Sequence, residues 1–246
     1  MSDEHVRELE RRWREGGRVE DEAAWLRELV RQGAFDPGRL RAAAYLGHPA
    51  AVAAVAEPPP PYGPAPDLQL VEWLRGLARA DQPRAEGGGA PTPLGWEVET
   101  RVALALAGAA LTRWEALLGS DVTDSEAAET FHLLAALVDH AERAFVSRDA
   151  EPLGVLRVLA LDAWQATNVA SEEFGHVAGT CVAGAANHVL LALGEADPLR
   201  SWGLREIELE LGQVFGGFER VRATAARDVV PWALGRGDPV AKGVAG

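Results

Sequence analysis

One cysteine, Cys181, stands in the 246 residues. It cannot form a disulfide within the chain, and such scarcity suits a reducing compartment. Strand-period alternation bounded by turns is missing, as is a fixed-period repeat, which argues against a sheet protein or a solenoid. The opening MSDEHVRELERRW is charged and lacks an apolar h-region, so no export signal and a cytoplasmic location are expected. Basic clusters are also wanting. The 24 Lys and Arg are interleaved among 37 Asp and Glu, for a net charge of −13. Neutralising phosphates needs concentrated positive charge, so no nucleic-acid partner is expected.

Catalytic motifs are scarce too. There is no Gly-x-Ser-x-Gly, His-Glu-x-x-His, Cys-x-x-Cys or phosphate-binding loop, and the glycines of DQPRAEGGGAPTP (81–93) are followed by no Lys-Ser/Thr pair. Asp121 to Ser125 echoes a calcium loop, but Glu126 takes the position that needs glycine and His132 that of the final acid. Cys181 lies mid-helix among apolar residues, as an inert core thiol does. No catalytic residue is assigned on these grounds.

What is present is helical. Hydrophobic residues make up 48% and charged residues 25%, ordinary for a soluble globular chain. Periodicity predicts helices near 3–15, 20–32, 37–46 and 49–56, with Leu26, Leu29 and Val30 sharing a face of the second. Gly33 is a stop, Asp36 a cap with Pro37 in the following first turn, and His48-Pro49 repeats that arrangement. EPPPPYGPAP (57–66) reads as an extended spacer before a helix at 67–80 capped by Asp67. Further helices are predicted near 95–118, 124–147, 153–170, 171–194 and 202–227, with a short turn at 231–234 and Pro231 ending the run. Thr123 with Glu126 forms a capping box, and Ser171 is a cap followed by acids. Leu204, Ile207, Leu211, Val214, Phe218 and Val221 make a seam that can close a bundle or pair two chains, so the oligomeric state stays open.

The predicted fold is all-α. A small N-terminal helical module (1–56) is joined by a Pro/Gly-rich linker with one helix (57–93) to a larger antiparallel helical bundle (94–235), with a flexible tail at 236–246. Phe174 to Gly194 is long enough to span a bilayer, but His176, Thr180, Asn187 and His188 are costly in hydrocarbon, so a central buried helix is expected and no membrane. The eight tryptophans are spread over nearly every helix, as core anchors would be.

Two stretches carry a resemblance. Trp13 to Glu15, Asp21 to Leu26 and Ala43 to Ala51 (WRE, DEAAWL and AAYLGHPAA) resemble a recurrent N-terminal module of uncharacterised bacterial helical proteins, and the ending Asp228 to Val240 is similar to the tails of related proteins. The middle, through GHVAGTCVAGAANHV (Gly175 to Val189), resembles immunity proteins of polymorphic toxin systems, with Cys181 and Val182 where that group often has a histidine. The second resemblance implies a toxin-neutralising role and lends no catalytic residue.

One constellation can carry chemistry. Glu129 with His132 and Glu173 with His176 are both Glu-x-x-His, a spacing that puts carboxylate and imidazole on one helix face. Di-iron carboxylate bundles use two such motifs plus acids from two other helices, and Glu115 and Asp162 are placed for that role. The competing expectation is structural. Glu173, His176, Thr180 and Asn187 on one helix, and His132, Asp139 and Arg143 on another, form polar stripes that satisfy one another and set helix register. The function expected is therefore a non-enzymatic protein-interaction module, an immunity protein for a basic toxin partner in its most concrete form. The alternative is a metal-dependent helical-bundle enzyme using iron or manganese on Glu115, Glu129, His132, Glu173 and His176.

Overall fold

The computed structural model describes residues 3–57, 93–118, 126–147, 155, 156, 158, 173–193 and 218–240. Among these the chain is all-helical, with eight helices and no strand. They are α1 (Asp3–Gly16), α2 (Val19–Arg31), α3 (Pro37–Tyr45), α4 (Pro49–Ala54), α5 (Pro93–Leu118), α6 (Glu126–Ser147), α7 (Glu173–Ala192) and α8 (Phe218–Ala233). Each lies within a few residues of a predicted helix, save at the end of α8. Val155, Leu156 and Val158 are helical as expected, and Leu156 is fully buried. The remaining expectations for 153–170, the spacer, the helix at 67–80, the Thr123 and Ser171 caps and the seam before Phe218 lie outside the described residues.

The N-terminal helices are delimited by local chemistry. Glu20, Asp21 and Glu22 place negative charge in the first turn of α2, and Arg31 sits in its last, both favourable to the helix dipole. The Asp36 carboxylate accepts from the backbone N–H of Gly38 at 2.6 Å and of Arg39 at 3.2 Å, with Pro37 behind it. His48 caps α4 through Nδ1, which accepts from Ala51 N–H at 3.3 Å. Between α3 and α4 the chain reverses at Gly47, whose φ is 90°. There His48 N–H donates to Ala43 C=O and Gly47 N–H to Ala44 C=O, both at 3.0 Å, the paired bonds of a Schellman turn.

The centre of the molecule is α5 against α7, the most extensive helix contact among the described residues. From Gly175 to Leu190 every described side chain of α7 except half-buried His176 is buried, and the many Gly and Ala let neighbouring backbones approach closely. Covered on every side, α7 is the interior helix that its uncharged sequence predicts. No helix among the described residues is long and apolar enough to cross a membrane. α6 packs on both α5 and α7, and α8 on α5 and α3. Trp114, Leu104, Leu106, Leu134, Leu137 and Leu190 are almost fully enclosed. Each buried leucine contributes about 2 kcal/mol.

The N-terminal helices share this core. One cluster of buried apolar side chains runs from Ala23 and Leu26 through Leu40, Tyr45 and Ala51 to Val102, Val182, Val229 and Val240. Residues 236–240, expected in a flexible tail, are tied to it: Arg236 pairs with Glu22, Asp238 with Arg101, and Val240 is buried. Residues 241–246 lie outside the described residues.

Pro231 does not end the last helix. α8 continues through it to Ala233. A proline this close to a helix C-terminus forfeits a single backbone bond, and the turn beyond is closed by others. Arg236 N–H donates to Pro231 C=O at 2.8 Å and Gly235 N–H to Trp232 C=O at 3.0 Å, with Gly235 at φ 69°.

Candidate functional site

Three of the five residues proposed as metal ligands stand on exposed faces: Glu115 on α5, and Glu129 and His132 on α6. His176 on α7 is half-buried, and the Glu173 side chain lies outside what is described. Among the described residues no three His, Cys, Asp or Glu side chains group as a metal ion requires. The polar stripe expected inside the bundle on α6 faces outward. His132, Asp139 and Arg143 are all exposed, and Arg143 pairs with Asp139 on its own helix. The opposite face of α6, with Leu134, Leu137, Val138, Ala141, Ala144 and Phe145, takes the core instead. Apolar area sets which face turns inward.

On α7 two of the expected stripe residues, Thr180 and Asn187, are buried, and the polar contacts to α5 are made by their neighbour His188. Thr180 and Asn187 are 3% and 2% exposed, and His188 beside them is also buried. The Thr180 hydroxyl donates to His176 C=O one turn back, at 3.0 Å. Across the interface Thr100 Oγ1 donates to His188 C=O at 3.3 Å. The Glu99 carboxylate lies 3.9 Å from His188 Nδ1. These contacts join the beginning of α5 to the end of α7 and fix one helix against the other. Sliding by a turn would strand buried polar groups, each at about 1–3 kcal/mol.

One residue further along α5, Arg101 faces α8 and the chain beyond it. Its side chain is only 7% exposed. Both of its terminal nitrogens donate to Asp238, at 2.7 and 2.8 Å, and Nη2 also reaches Glu97 at 3.3 Å. The guanidinium lies 4.4 Å from the Trp232 ring centroid and 5.2 Å from that of Phe145. Arg39 of α3 approaches the same indole at 4.5 Å and donates to Trp232 C=O. Trp232 thus meets two arginines from two different helices, the stacking for which a planar guanidinium is suited.

A second junction lies on the N-terminal helices. Trp13 of α1 and Trp25 of α2 stack at 4.9 Å with planes 15° apart, and Arg236 lies 4.7 Å over Trp13. Arg236 also donates to Glu22, whose carboxylate faces His48 Nε2 at 3.6 Å. Alongside, Asp21 accepts from Arg18 at 2.8 Å and Arg12 at 2.6 Å. The Arg18 hydrogen bond, opposed by burial and helped by the charges of both arginines, holds the Asp21 carboxyl below its ordinary range.

Glu99, Thr100, Arg101, Glu22, Arg236 and Asp238 were not singled out from sequence. The signal at α5 was readable: Glu99-Thr100-Arg101 is an uninterrupted polar run at the head of the apolar stretch VALALAGAAL. Charges entering such a helix require partners. No family model, curated protein or solved structure matches the chain.

Proposed function

We propose that this protein is a non-enzymatic interaction module that covers a partner's surface, and in its most concrete form an immunity protein that neutralises a basic toxin. The observation that supports this reading is where the charge is used. Each buried carboxylate among the described residues faces a basic group: Asp21 faces Arg12 and Arg18, Glu22 faces Arg236 and His48, Glu28 faces Arg31, and Glu99 faces His188. The surplus of 13 negative charges is therefore not tied up in those buried pairs. Exposed acids such as Glu115 and Glu129 contribute to the external field. An acidic surface steers a basic partner and speeds its association. The resemblance of Gly175 to Val189 to immunity proteins points the same way.

The test is co-expression with the product of a neighbouring toxin-like gene, followed by co-purification. Growth rescue and a stable complex whose association slows as salt rises are expected. Failure both to rescue and to co-purify sinks the reading.

A further inference from the structure

We infer that His48 is the acid-sensitive element of a clamp that holds the end of α8 to the N-terminal helices, so that protonating this imidazole releases Arg236 from Glu22 and uncaps α4. This goes beyond the proposed interaction role and does not depend on it.

The geometry assigns the proton. His48 Nδ1 accepts from Ala51 N–H at 3.3 Å, so in the clamped state Nδ1 carries a lone pair and the ring hydrogen sits on Nε2. Nε2 faces Glu22 Oε1 at 3.6 Å, and that same oxygen accepts from Arg236. A second proton, taken from water, has one place to go, which is Nδ1. There it turns an acceptor into a donor pointed at another donor, and the cap bond to Ala51 breaks.

The new cation also lies among existing ones. Arg236 approaches from the segment after α8, and Arg222 of α8 lies over the adjoining Gly47. Glu22 of α2 is the carboxylate facing the ring, and it already serves Arg236. With the side chains of His48 and Glu22 only 17% and 11% exposed, water does little to spread this charge. Burial above all, against the attraction of Glu22 and with the repulsion of Arg236, holds the imidazole below its ordinary value of 6.5.

The sign follows. The folded chain favours neutral His48, so its contribution is complete above the ordinary imidazole range and is lost as pH falls below it. For one linked proton the opening equilibrium rises by up to about tenfold per pH unit in that window.

The test is amide hydrogen exchange of the full chain at pH 7.5, 6.5 and 5.5, expressed as protection factors. In the wild type, protection at residues 51–54 and 234–236 is expected to fall below pH 6.5. His48→Asn keeps a capping oxygen but has no proton to take, and its protection there is expected to stay level. An equal acid loss in His48→Asn, or none in the wild type, overturns the inference. Should His48→Asn fail to fold, Arg236→Gln supplies the second measurement. Without the neighbouring cation the NMR titration of His48 is expected to move to higher pH, and an unmoved titration overturns the inference as well.

Discussion

Arg101 and Asp238 meet fork to fork across 137 residues of chain, Nη1 to Oδ1 at 2.7 Å and Nη2 to Oδ2 at 2.8 Å. The pair fastens the segment after α8 onto the beginning of α5. It does so where Trp232 and Phe145 exclude water from the guanidinium.

Removing Asp238 leaves the buried Arg101 guanidinium with the longer Glu97 contact alone, at 3.3 Å. Asp238 is 29% exposed at its side chain, which moderates the loss expected of a fully buried pair. Asp238→Ala is expected to cost about 2–3 kcal/mol, or roughly 4–10 °C in Tm for a chain of this size. Thermal and urea unfolding measure it. The double variant with Arg101→Met is expected to cost less than the two single changes added together. Strict additivity would show that the two groups do not act as a pair.

Two glycines are expected to respond oppositely to alanine. At Gly47 φ is +90° and an added Cβ would sit 2.9 Å from Arg222 Nη2, so Gly47→Ala is expected to destabilise by about 1–2 kcal/mol. Much of that is backbone strain, since Arg222 can swing aside. Gly108 lies within α5 with nothing near the space a Cβ would fill, so Gly108→Ala is expected to stabilise by about 0.5–1 kcal/mol. Chemical denaturation of both variants gives the signs, and equal signs would contradict the geometry.

Glu142 of α6 is half-buried near two other acids. Burial, then Asp139, then Asp228 push its carboxyl up to about 7. Because the folded state favours the protonated form, this contribution is complete below the ordinary 4.5 and is lost as pH rises through 7. Glu142→Gln is therefore expected to unfold like wild type at pH 4 and to be more stable at pH 8. With solvent screening allowed for, the gain is on the order of 1 kcal/mol. A variant no more stable than wild type at pH 8 would rule this out.

Glu28 behaves in the opposite sense. Arg31 above all, against burial and with help from Gln32, holds its carboxyl down at about 2. Its contribution is present above 4.5 and disappears as pH falls through 2. Glu28→Gln is expected to flatten the acid limb of the stability curve between those two values. An unchanged limb in acid titrations followed by circular dichroism would exclude the effect.

Much of the local structure was legible before any coordinates. The caps at Asp36 and His48 rest on residues one to three positions away, and the burial of α7 follows from a run without charge. Elsewhere near-neighbour reasoning fell short. His132, Asp139 and Arg143 recur at helical spacing whether they face a core or solvent, and only the larger apolar face of α6 decides between the two. Pro231 signals a stop by itself, yet α8 runs on to Ala233, and the carbonyls of Pro231 and Trp232 are met by Arg236, Gly235 and Arg39. The polar run 99–101 announced that partners must exist without naming them.

The amino-acid order by itself determined that the chain is helical, where most described helices begin and end, and that α7 lies inside. Periodicity and capping act over a few residues, so they are written locally. Tertiary structure alone decided that Arg101 finds Asp238, that Arg236 finds Glu22 across 214 residues, and that Trp232 meets two arginines. Those pairings depend on how helices far apart in the chain pack their apolar faces. A buried charge accepts whichever partner that packing brings within reach.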